Sequence, residues 1–138
     1  MIFVIVLILL VGIAAALVVA VAKNPGPNPT DIALGFEHAW DELDFDVVYR
    51  MSGPELHEGL TKSDWVAAKR AAYADGAKLG RLVTETVAEE ETRRGDAAAV
   101  MTRITLRDAS VVHNEVRLLR RSRVWEVVAY ELRPTPTP

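Results

Sequence analysis

The chain has no cysteine. That excludes disulfides, thiolate nucleophiles, thiolate metal sites and cysteine-borne lipids, and it fits either side of a membrane. The second residue is Ile rather than Gly, so N-myristoylation is excluded too. Histidines number three, and His57 and His113 lie far from any ligand-spaced partner, so each reads as a surface or packing residue. A dense basic face is missing as well. The formal net charge is -3, which argues against nucleic acid as a partner, because phosphate binding needs concentrated positive charge. That charge is unevenly spread: residues 1–92 carry 7 Lys/Arg against 14 Asp/Glu, and residues 93–138 carry 9 against 5. No internal repeat and no catalytic signature are visible, and no cofactor is implied.

What the sequence does have is an uncharged leader. Met1 to Ala22 contains no charged side chain and is followed at once by Lys23. As a helix it would be about 33 Å long, enough to cross the hydrocarbon core of a bilayer. The reading is a single-pass membrane anchor over 1–22, with the bilayer as partner. Gly12, Ala16 and Ala20 recur every four residues and could let two such helices approach closely. The alternative is a secreted form cleaved after Ala22, since Ala20-Val21-Ala22 has the small-x-small pattern of signal peptides. Against cleavage, no basic residue precedes the run, and the run is longer than the usual 7–15 or so apolar residues. Sidedness stays open: Lys23 favours a cytoplasmic domain, whereas a short N-terminal anchor before a folded domain favours export.

Residues 23–29 alternate proline with turn formers and read as a stiff stalk; residues 134–138, PTPTP, read as a disordered tail. Between them, 30–133 is long enough for one core and too short for two domains. From Thr30, taken as an N-cap, Ile32, Phe36, Ala39, Trp40 and Leu43 form one face of a helix ending near Asp44. Asp44 can cap a second short helix that buries Phe45 and Val48 and stops at Gly53-Pro54. Thr61 with Asp64 has capping-box spacing and opens a third helix, with Trp65, Ala68, Ala72 and Tyr73 buried and Gly76 as C-cap.

After Gly76 the apolar period changes to two. Turns at 94–96, 108–110 and 121–123 delimit strands over roughly 79–92, 97–107, 111–121 and 123–133, and connections this short make an antiparallel meander. Alternation points Val100, Thr102, Ile104 and Leu106, then Val112, Asn114, Val116 and Leu118, then Trp125, Val127 and Ala129 toward the helices. Val128, Tyr130 and Leu132 fall on the outer face. The first strand alternates poorly, which predicts a bulge.

The fold class is therefore α+β: an N-terminal transmembrane helix, then three helices on a curved four-stranded antiparallel sheet. Phe36-Glu-His-Ala-Trp40, Leu43-Asp-Phe-Asp46 and Trp125-Glu-Val-Val-Ala-Tyr-Glu-Leu132 give residues 30–133 a pattern that resembles the nuclear transport factor 2-like (cystatin-like cone) superfamily. The resemblance implies a hollow between helices and sheet, which in enzymatic relatives such as ketosteroid isomerases and polyketide cyclases holds an acid/base carboxylate. It also implies a tendency to dimerise through the outer sheet face. No inward strand position on the last three strands is acidic; the inward polar residues are Thr102 and Asn114.

The candidate ligand-pocket residues are Tyr49, Trp65, Tyr73, Thr102 and Asn114, with the three aromatics equally suited to plain core. Glu37, His38, Asp41 and Glu42 have helical spacings that could converge on a metal, but they read as the solvated face, and no metal site is assigned. Arg117, Arg120, Arg121 and Arg123 give the last hairpin a basic tip that could meet anionic lipid. The leading functional expectation is a membrane-tethered, non-enzymatic domain that binds a protein partner or a small apolar ligand. The alternative is an isomerase-like or hydrolase-like enzyme using Asp41, Asp46 or Tyr49. A carboxyl group pointing into the hollow would separate the two.

Overall fold

The computed structural model describes residues 6, 11, 13–16, 26–74 and 81–133. Within the leader, Val6, Val11 and residues 13–16 are helical and exposed, Ala16 among them; Gly12 and Ala20 lie outside the described residues. Among the described residues no helix is long and apolar enough to cross a membrane. The expected anchor, most of the stalk, Gly76 and the tail 134–138 fall outside what is described.

Helix α1 runs from Pro29 to Asp41. Its cap is Asn28 rather than Thr30: Pro29 has no N–H to lose at the first helical position, and the Asn28 side chain accepts the Asp31 N–H at 2.9 Å. Thr30, inside the first turn, donates its hydroxyl to Glu91 at 2.6 Å instead. The helix stops three residues before Asp44 because Leu43 turns left-handed, with φ 56°. Asp44 then caps α2 (Phe45–Met51), accepting the Val47 N–H, and Phe45 and Val48 are buried as expected. Ser52 turns extended, Gly53 donates to the Val127 carbonyl at 2.8 Å, and a single 3-10 turn follows at Pro54–Leu56.

Helix α3 (Lys62–Ala72) is capped by Thr61, which accepts the Asp64 N–H. It packs on its neighbours along one narrow edge only. Trp65 and Val66 are its buried residues, while Ala68 and Ala72, expected in the core, are exposed. Its C-cap is Tyr73, three residues before Gly76.

Four strands, β1 (Val83–Arg94), β2 (Ala97–Leu106), β3 (Val111–Arg121) and β4 (Val124–Arg133), form one antiparallel sheet in the order 1-2-3-4. β1 carries two register shifts, between Val83 and Glu85 and between Ala88 and Glu90, which accounts for its poor alternation. A third irregularity was not legible in the pattern. Leu118 pairs with Val127, but Arg117 pairs with Ala129, so β4 holds one extra residue, Val128. Beyond that bulge every side chain changes face. Tyr130, opposite Val116, and Leu132, opposite Asn114, therefore lie on the concave side, and Ala129 shares the face of Arg117. This corrects the assignment of Tyr130 and Leu132 to the outer face and of Ala129 to the inner one.

The core fills the space between the helices and the concave face: Ala33, Phe36 and Ala39 from α1, Phe45 and Val48 from α2, Trp65 from α3, and Val100, Val116, Leu118 and Val127 from the sheet. α1 lies along β1, antiparallel to it. Thr30 meets Glu91 at one end, and at the other the Asp41 carboxylate accepts the N–H groups of Leu82 and Val83 at 2.8 and 3.2 Å. The start of α1 thus shares one end of the sheet with the β1–β2 and β3–β4 turns. The β2–β3 turn and the last residues of β4 mark the opposite end.

Candidate functional site: a buried glutamate beneath an apolar hollow

Glu37 follows Phe36 and lies four residues after Ala33 and three before Trp40, so the α1 face that packs on the sheet carries it inward. It is 4% exposed. This corrects its reading as part of a solvated face. One carboxylate oxygen accepts the Thr102 hydroxyl at 2.8 Å and the Asn114 amide at 3.1 Å. The other accepts the Tyr130 hydroxyl at 2.9 Å, and that hydroxyl in turn accepts from the Asn114 amide at 2.8 Å. Four elements, α1, β2, β3 and β4, each supply one member.

Thr102 and Asn114 are opposite each other in the β2–β3 register, and the β4 bulge aims Tyr130 at the same point. Burial pushes the Glu37 carboxyl above its usual value of 4.5, against the three donated hydrogen bonds, which work to lower it. Burial, then the neighbouring Glu37 charge, pushes the Tyr130 phenol up as well, so Tyr130 stays a proton donor. Asn114 Oδ1, on the amide that bonds the carboxylate, is buried without a partner among the described residues, as is Trp40 Nε1 on the same helix as Glu37.

Next to this cluster is a hollow of about 240 Å³, bounded by Glu37, Asn114 and Tyr130 and by apolar side chains that include Leu82, Ile104, Leu106, Val112 and Leu132. It opens toward the end of the sheet where β2 and β4 finish. Tyr130 is 36% exposed and Leu132 72%, so these two form its rim. The volume is below the roughly 300–1,000 Å³ of sites for drug-sized ligands, which restricts any occupant to a small molecule.

Of the residues singled out from sequence, Thr102 and Asn114 stand at Glu37. Tyr49, Trp65 and Tyr73 pack elsewhere, in an aromatic cluster between the helices. Tyr49 stacks on His57 at 3.7 Å between ring centres, Trp65 donates its indole N–H to the Leu56 carbonyl at 3.1 Å, and Tyr73 contacts Phe45 and Trp40. Asp41 caps the start of β1, Glu42 pairs with Arg81 at 3.5 Å, and His38 is exposed. Asp46 is held on the surface between Lys62 and Arg70. The inward carboxylate is thus Glu37, and the acid/base candidates Asp41, Asp46 and Tyr49 of the enzymatic alternative do not belong to its cluster. A signal for it existed: two inward polar residues paired across strands, Thr102 and Asn114, require a polar partner from the helix above them.

No protein-family model matches the chain, and no curated protein matches it. Solved structures do. A Campylobacter jejuni protein with the provisional name NTF2-like transpeptidase is 25% identical, with a TM-score of 0.57 over 73% of this chain and 97% of that one. An NTF2-like protein of unknown function from Shewanella oneidensis is 20% identical, with a TM-score of 0.53 over 73% and 92%. A SEC-C motif protein from Rhodopseudomonas palustris is 16% identical, with a TM-score of 0.54 over 75% and 77%. The class is therefore defined by fold: an α+β domain of the nuclear transport factor 2-like type.

Proposed function

We propose that this chain is a membrane-tethered binding domain whose hollow takes a small, mostly apolar molecule with one polar end, oriented by Glu37, Asn114 and Tyr130. The observation that carries this reading is the buried Glu37 carboxylate at the floor of an apolar cavity, with the Asn114 side-chain oxygen beside it lacking a donor among the described residues. An apolar wall with a few convergent polar groups is the usual make-up of a small-molecule site. Residues 1–22 hold the domain at the bilayer as a single pass, with the domain outside the cytoplasm. A reporter fused after Pro138 should then be active only on the outer side.

The binding test uses the full chain in lipid nanodiscs and a library of small amphiphiles, read by thermal shift and ligand-observed NMR. Members that bind should lose affinity at least tenfold when Val112→Phe fills the hollow. A library with no binder, or binding unchanged by that substitution, contradicts the reading. A second reading is favoured by the raised Glu37 pKa: proton transfer to and from the substrate, as an isomerase requires. It differs in one measurable respect, since turnover of a bound molecule would be abolished by Glu37→Gln even where binding persists. The transpeptidase name of the Campylobacter protein finds little support here. The chain has no cysteine, and Ser52, its buried serine, donates its hydroxyl to the Val48 carbonyl at 2.5 Å.

A further inference from the structure

The end of the sheet where α1 begins carries an uncommon combination of free positive charge and exposed apolar surface. Both turns at this end bear arginines. Most are neutralised in pairs: Arg93 with Glu91, Arg120 with Asp96, and Arg121 with Glu55 and Glu126. Arg94, the last residue of β1, and Arg123 on the β3–β4 turn form no ion pair with another described residue, and both are exposed. Val124, next to Arg123, is 57% exposed. On the outer face of the same end is an apolar groove of about 300 Å³, lined by Ala97, Ala99, Leu119 and Val128 and rimmed by Arg94 and Arg117. The Arg120 N–H donates to the Asp96 carbonyl at 2.7 Å, so the two turns are tied into one rigid tip.

We infer that this tip is a membrane-contact surface for anionic lipid, with Arg94 and Arg123 on headgroup phosphates and Val124, Leu119 and Val128 at the glycerol level. The inference rests on the reading that residues 1–22 lie in a bilayer. Chain length then supplies the second argument. Residues 23–28 join the leader to α1, and six residues span at most about 20 Å, so the start of α1 cannot leave the bilayer surface by more than that. Thr30 is hydrogen-bonded to Glu91 two residues before Arg93, so the leader enters the domain beside the arginine-bearing turns. The tether thereby keeps the two free arginines near the headgroups, where cation attraction is effective over about a Debye length, 8 Å at physiological salt. The mouth of the Glu37 hollow is at the opposite end of the sheet and would face away from the bilayer.

Because the chain has no cysteine, one introduced cysteine can carry a unique fluorophore. The full chain with Ser122→Cys at the tip, or Ser110→Cys at the far turn, is placed in nanodiscs containing headgroup spin-labelled lipid. The discs are made of neutral phosphatidylcholine alone or with added phosphatidylserine. Quenching should be strong at 122 and weak at 110, and it should rise at 122 when phosphatidylserine is present. Arg94→Gln with Arg123→Gln should remove that rise, each arginine contributing about fivefold to the contact equilibrium. Equal quenching at the two positions, or no dependence on lipid charge, overturns the inference while leaving the tether intact. A chain that does not enter discs overturns the tether. The tip is then judged by sedimentation with anionic vesicles, where binding lost in the double variant supports it and no binding overturns it.

Discussion

Glu37 ties one helix to three strands, so its side chain matters to stability whatever occupies the hollow. Glu37→Ala would leave the buried Thr102 hydroxyl and Asn114 amide, and the Tyr130 hydroxyl at the rim, without their common acceptor. At roughly 1–3 kcal/mol for each stranded group, partly relieved by water entering the gap, a loss of about 3 kcal/mol is expected by chemical denaturation. Glu37→Gln keeps the shape and should cost less. The two proteins should also respond differently to pH. Burial raises the folded-state pKa of Glu37 above 4.5, so the folded chain holds this proton more tightly than the unfolded chain. Its contribution is therefore fully present below the unfolded value and is lost as pH rises through the folded pKa. Relative to Glu37→Gln, the native chain should become less stable as pH rises above about 4.5. A flat or opposite difference in unfolding free energy would show that the carboxylate is not desolvated.

Among the elements, β4 is decisive, because one extra residue in it determines which side chains reach the hollow. Deleting Val128 alone would leave Ala129 opposite Arg117 and Tyr130 opposite Val116, whereas deleting Val128 and Ala129 together should put Tyr130 opposite Arg117, on the outer face and away from Glu37. The expected result of the double deletion is a destabilised chain in which Glu37→Gln has a smaller further effect than it has in the native one. The turns offer a separate check. Ala109 has φ 66° in the β2–β3 turn, a left-handed conformation disfavoured for any residue with a Cβ, and Ala109→Gly should raise stability by about 0.5–1 kcal/mol.

These two cases also show how far the sequence could be read. The meander, its three turns, the Asp44 and Thr61 caps and the inward set on β2 and β3 were legible, because alternation and cap chemistry are local. The β4 bulge was not, since it is a property of pairing between two strands, and Val127, Val128 and Ala129 are all apolar, so their order does not mark where the face changes. Glu37 was missed for a related reason. A charged residue on an amphipathic helix is normally solvated, and only the inward Thr102 and Asn114 hinted that a carboxylate was needed above them.

At the scale of the whole molecule, the proposal is a cone held at a bilayer by its leader, with the arginine-bearing tip toward the lipid and the ligand hollow at the far end of the sheet. The two ends are independent, so substitutions at Arg94 and Arg123 should leave ligand affinity at the hollow unchanged, and Val112→Phe should leave lipid contact unchanged. Both can be read in the same nanodisc preparations. The functional reading depends most on Glu37 being a desolvated carboxyl group beneath the hollow. Its most direct test is a pH titration of the Glu37 side-chain carboxyl by carbon-13 NMR in the full chain. A midpoint above 4.5, moved further by an occupant of the hollow, is expected; a midpoint at or below 4.5 would contradict it.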